Sequence, residues 1–210
     1  MFNVSSPFNR DSGMLTRQLV GVSQNWYPAA PFLVSSAVGI VQTASRLAAH
    51  ILLIGSARTI DALGTRVGTA GIGSEMKAGI YDATGTSGRP GALLGLTTSV
   101  ATTSSTTNVT LPLTANLTLG PGVYWIAAAH KTSSTLPITY SYTGNGCTLA
   151  GEFQTGATVL NAAVNGSDNS GAMVFKDITY DDPLPNPFGA ATEVTSGTTY
   201  NFSCLGYRVL

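Results

Sequence analysis

Lys77-Ala78-Gly79-Ile80-Tyr81-Asp82 runs on to Gly88-Arg89-Pro90-Gly91-Ala92-Leu93-Leu94, and Leu117-Thr118-Leu119 runs on to Pro121-Gly122-Val123-Tyr124-Trp125-Ile126-Ala127. Each pair reads as a β-strand tied to a tight turn. Gly-Ile-Tyr and Val-Tyr-Trp-Ile are β-branched and aromatic runs suited to a pleated surface. Gly-Arg-Pro-Gly and Gly-Pro-Gly form turns because Pro fixes φ and Gly accepts positive φ. Working outward, the same text predicts short strands at Gly39–Thr43, His50–Gly55, Thr59–Val67, Met76–Asp82, Leu93–Val100, Thr107–Leu113, Gly122–His130, Ile138–Tyr142, Ala172–Thr179 and Tyr200–Val209. No amphipathic helix separates them. Strands punctuated by Gly, Pro and Ser argue for an all-β fold, an antiparallel two-sheet β-sandwich with jelly-roll-like closure.

The first 31 residues differ from the rest. Phe2, Phe8, Met14-Leu15, Leu19-Val20, Trp26-Tyr27-Pro28 and Pro31-Phe32 are spread among Ser, Asn and Pro with no helical period. Residues 1–31 therefore read as an extended N-terminal docking arm and residues 32–210 as the β-sandwich domain. An arm of this kind becomes ordered against a surface, whether its own sandwich, a neighbouring copy or a larger assembly. The aromatics Phe2, Phe8, Trp26 and Tyr27 must offset the entropy lost on docking.

Composition narrows the function classes. Ten Lys and Arg balance ten Asp and Glu, and only 10% of residues are charged. A nucleic-acid partner is not expected without a basic excess, nor is an anionic lipid surface. With 43% hydrophobic residues and a mean hydropathy of +0.21 the chain is also far from the disordered regime. Met1 to Pro7 carries no basic flank and apolar run of the secretory type. Leu47 to Ile54, the longest apolar stretch, is too short to cross a bilayer and reads as a buried strand, so no membrane insertion is expected. Cys147 and Cys204 form no metal-ligand spacing and read as free, buried thiols. Asn-X-Ser/Thr triplets begin at Asn3, Asn108, Asn116, Asn165 and Asn201, as chance alone produces in a chain this rich in Ser and Thr.

Residues that could carry chemistry are few. The two imidazoles are His50, flanked by Ala49 and Ile51 and read as a core or interface residue, and His130, read as a hydrogen-bonded surface residue at a strand end beside Lys131. No nucleophile and base stand at a telling spacing, and no pair of carboxylates is singled out for glycoside hydrolysis. No catalytic residue, metal site or cofactor is expected. Asp177, Asp181 and Asp182 could hold Ca²⁺ together with carbonyls of the following Pro-rich loop, but turn and cap formation before Pro183 is the favoured reading. Asn165 to Gly171 reads first as a loop tip. Aromatics offer one binding lead: Tyr140 and Tyr142 share a strand face at period two and could stack on a glycan, or serve a subunit interface equally well. In Val123-Tyr124-Trp125-Ile126 one of Tyr124 and Trp125 belongs to the core.

From about Arg58 to its end the chain resembles the β-sandwich modules of tailed-bacteriophage virion proteins, of the tail-fibre, minor-tail or head-decoration type. The resemblance is carried, in order, by Thr59-Ile60-Asp61-Ala62-Leu63, Ala78 to Asp82, Gly88 to Leu94, Leu119 to Ala127 and Pro183-Leu184-Pro185-Asn186-Pro187-Phe188. It implies a non-enzymatic virion component made in the host cytoplasm, a homo-oligomer with a trimer favoured, whose partners are other virion proteins. A tail-tip protein that binds a host-surface glycan is the alternative. Fibres carry long repetitive shafts and this chain has none, which favours a compact plug, tip or decoration.

Overall fold

The computed structural model describes residues 26–28, 37–105, 107–131, 135–142, 173–193 and 205–210. They form two antiparallel sheets. Sheet I contains β1 (Trp26–Pro28), β2 (Ala37–Val41), β4 (Arg58–Thr69), β8 (Thr107–Leu119), β10 (Ile138–Tyr142) and β13 (Gly206–Val209). Its axis is β4, with β8 along one side and β13 and β10 end to end along the other. β1 pairs outside β13, and β2 outside β10. Sheet II contains β3 (Arg46–Ile54), β5 (Glu75–Asp82), β6 (Leu93–Leu96), β7 (Val100–Ala101), β9 (Gly122–His130), β11 (Met173–Asp177) and β12 (Thr192–Glu193). Its order is β12-β11-β3-β9-β5, with β6 and β7 end to end along β5. The chain repeatedly crosses from one sheet to the other, as in a jelly roll.

The expected strands are largely where the sequence puts them, and the departures have local causes. β9 and β10 match in full. β3 begins at Arg46, so the whole apolar run from Leu47 is strand. The stretch Leu93–Val100 divides because Thr97 bridges to Leu113 of β8, and Thr98 N–H donates to the Pro112 carbonyl at 3.3 Å. That bridge closes the sandwich at its β6/β8 edge. β8 runs on to Leu119 by way of an irregularity: Ile60 faces Leu117 while Ala62 faces Pro112. The last strand starts at Gly206; residues 200–204 and both cysteines lie outside the described residues.

Two cores result. Between the sheets lie Leu52, Ile60, Leu63, Ile80, Leu111 and Ile126. On the other face of sheet II lie Leu47, Ile51, Tyr81, Trp125, Ala127 and Met173, roofed by Tyr180, Leu184 and Phe188. Residues 178–191 thus form a strap over sheet II. Burial on both faces explains why Val123-Tyr124-Trp125-Ile126-Ala127-Ala128-Ala129 shows no apolar-polar alternation. Trp125 is the core member expected there and donates from Nε1 to the Gly88 carbonyl at 2.9 Å, while Tyr124 packs half-buried against the inter-sheet core. His50 is buried as expected, 1% exposed. His130 corrects the sequence reading: it is 3% exposed, because as the last residue of β9 it still pairs with Met76 of β5 and its face turns inward.

Candidate functional site

The hairpin from β5 to β6 is built on one carboxylate. Asp82 Oδ1 accepts hydrogen bonds from Thr84 N–H at 3.1 Å, Thr84 Oγ1 at 2.6 Å and Ala92 N–H at 2.8 Å. Burial raises its pKa, but these donors outweigh burial and hold it below the ordinary value. Gly91 is required here, since a Cβ at that position would collide with Thr84 Oγ1 and Asp82 Oδ1. The loop so fixed receives the strap: Phe188 N–H donates to the Gly91 carbonyl at 2.8 Å and Leu93 N–H to Asn186 Oδ1 at 3.1 Å.

Where the strap leaves the sheet, a cleft of about 320 Å³ opens between Glu75 and Lys77 of β5, Leu96, Ser99 and the strap residues Tyr180 to Leu184. The Lys77 ammonium donates to the carbonyls of Tyr180 and Asp182 and lies 4.7 Å from the centre of the Tyr180 ring. Burial lowers its pKa, and the nearby Asp181 and Asp182 partly offset that. Ser99 Oγ donates to Glu75 Oε2 at 2.8 Å, so its 2.7 Å contact with Tyr180 OH must be a bond donated by the phenol. Burial pushes the Tyr180 phenol up to about 12 and keeps it a donor. Lys131 Nζ closes the network at 3.0 Å from Asp181 and 4.0 Å from Glu75. The Tyr180 proton on the Ser99 oxygen opposes its use as a nucleophile.

These contacts correct the calcium alternative. The carbonyls of the Pro-rich loop do converge, but on the Lys77 ammonium. Asp177 is held by Arg46 at 3.1 Å and Asp181 by Lys131, so the three acids are not drawn to one point. Among the described residues no three His, Cys, Asp or Glu side chains stand close enough to hold a metal ion.

A second feature lies on the outer face of sheet I. Trp26, 46% exposed, covers Gly64, and the Arg208 guanidinium stands 5.7 Å from its ring centre. Arg208 grips Asp61 with both donors, Nε at 2.9 Å and Nη2 at 2.6 Å, and this bond holds the Asp61 carboxyl below its ordinary pKa.

Of the residues singled out from sequence, Trp26 and Tyr27 fall in β1, opposite Arg208 and Tyr207. Phe2 and Phe8 lie outside the described residues, as does the loop 165–171. Tyr140 and Tyr142 fall in β10, opposite Gly39 and Ala37 of β2; their side chains lie outside the described set. Lys77, Ser99 and Tyr180 escaped the sequence reading. A lone lysine within Met76-Lys77-Ala78-Gly79-Ile80 was the available signal, since a charge in an apolar strand needs a partner from elsewhere. No protein-family model matches the chain, and no curated protein matches it.

Proposed function

We propose that the chain is a non-enzymatic structural protein of a tailed-bacteriophage virion, an appendage or decoration subunit that docks through its N-terminal arm and displays a rigid β-sandwich. The observation that supports it best is the root of the arm. β1 adds to the sheet beside the last strand, and Trp26 is seated on Gly64 with nearly half of its surface open. An arm anchored in this way transmits load to the sandwich rather than trailing from it. The cleft supports the same reading, because its lysines, phenol and serine are engaged with one another and with the strap. Both imidazoles are packed in the interior, away from any substrate. The virion assignment itself rests on the ordered phrases from Thr59 to Phe188.

The subunit is expected as a homo-oligomer, with a trimer favoured, in contact with other virion proteins. Closed symmetry is the usual way for such surfaces to be covered. Cryo-electron microscopy of intact particles tests the proposal. Density for this sandwich on the capsid lattice makes it a decoration, and density at neck or tail makes it a tail component. Absence of the chain from purified particles overturns the virion assignment.

A further inference from the structure

We propose that the cleft between strap and sheet II receives Arg17 from the arm of a neighbouring copy. This rests on the docking-arm reading above and names the receiving surface. Three carboxylates, Glu75, Asp181 and Asp182, face two ammoniums, Lys77 and Lys131, so the cleft keeps one unmatched negative charge. Asp182 is that charge: its carboxylate makes no ion pair or hydrogen bond among the described residues and feels Lys77 only at longer range. Beside it the cleft is lined by apolar Leu96, 39% exposed, and by Pro183 of the strap. A partner that suits both features has a guanidinium between two apolar side chains, because the stem of Arg covers apolar surface while its head pairs with carboxylate.

The arm contains one such stretch. Leu15-Thr16-Arg17-Gln18-Leu19 puts Leu15, Arg17 and Leu19 on one face when docked as an extended segment. Arg10, the other basic residue before Arg46, is followed at once by Asp11 and carries its own counter-charge. Distance selects the neighbour over the same chain. Arg17 lies nine positions before Trp26, a stretch that spans at most about 32 Å fully extended. β1 lies at the sheet I edge away from the closed β6/β8 edge, and the cleft lies past that closed edge on the far face of sheet II. Three strand spacings, the gap between sheets and an outer side-chain layer on each face make a path of about 35 Å. An arm from a second copy is under no such limit.

Sedimentation equilibrium of the full chain tests this. Arg17→Glu and Asp182→Arg should each weaken self-association about tenfold or more, and the doubly reversed chain should recover it, which also shows that neither variant merely misfolds. Loss of association on deleting residues 1–25, with Arg17→Glu unchanged, overturns the cleft while leaving arm docking intact. Association untouched by that deletion overturns the docking arm itself. A wild-type chain that stays monomeric at every concentration overturns the proposal.

Discussion

His50 and His130 sit on the inward face of sheet II, and burial holds both imidazoles near a pKa of about 4 against an ordinary 6.5. For His50 the effect persists although its Nδ1–H donates to the Ile51 carbonyl at 3.3 Å, a bond that favours the charged form. The folded values lie below the unfolded one, so above about pH 6.5 neither state binds these protons and stability is unaffected. Between about pH 6.5 and pH 4 the unfolded chain takes up protons that the folded chain refuses, and stability is lost through that window. A shift of this size corresponds to about 3 kcal/mol for each histidine by pH 4. Urea midpoints should therefore fall steadily across that range, and a flat profile would contradict the burial of both rings. His50 was legible from its apolar neighbours. His130 was not, because Lys131 after it suggested a surface position at a strand end, whereas the strand does end on His130 but with its ring on the inward face. Asp82 gives a second test at this scale. Asp82→Ala strips three donors of their acceptor and should cost about 1–3 kcal/mol in thermal or chemical unfolding, while Glu75→Ala, whose carboxylate is bonded by Ser99 at the rim of the cleft, should cost less.

The strap shows what periodicity can and cannot reveal about an element. Its anchors Tyr180, Leu184 and Phe188 recur every four residues, a helical spacing, but Pro183, Pro185 and Pro187 forbid a helix, so the segment reads as turn text. Only the structure shows the three side chains entering the outer face of sheet II, Phe188 meeting the Tyr81 ring edge-on at 5.1 Å. The two-sheet class was legible because strand and turn signals are local. The double burial of sheet II was not, because its second cover comes from a segment about fifty residues beyond β9 in the chain. Phe188→Ala should cost about 3–5 kcal/mol, as for other fully buried aromatics. Lys77→Met should have a different signature. The carbonyls of Tyr180 and Asp182 lose their donor while the apolar anchors remain, so protease should cut within residues 178–191 faster although the unfolding midpoint moves less than in Phe188→Ala. Equal protease resistance in Lys77→Met and wild type would mean that the apolar anchors alone hold the strap.

At the scale of the whole molecule, the first and last described strands are brought together at one place in the fold. β1 pairs with β13, Trp26 lies over Gly64, and Arg208 links the indole to Asp61. A three-residue strand gives no sequence pattern of its own, so the seat of β1 on the sandwich was not legible. Gly64 is the position on which that seat depends. A Cβ there would stand 2.6 Å and 2.8 Å from two carbons of the Trp26 ring and 3.1 Å from the Val109 carbonyl oxygen. The ring is the movable partner, because the Val109 carbonyl belongs to the β8 ladder. Gly64→Ala should therefore push Trp26 off the sheet and leave the inter-sheet core in place. Releasing a half-buried indole should cost about 1–2 kcal/mol, and Trp26→Ala should match it, since both remove the same contact. Trp125, the second tryptophan, is 1% exposed under the strap and serves as an internal reference. In Gly64→Ala the fluorescence of one tryptophan should shift to the red and become open to a soluble quencher while the other stays protected. Two protected tryptophans would show that the indole keeps its seat without Gly64, and β1 would then be held by the β1–β13 backbone pairing alone.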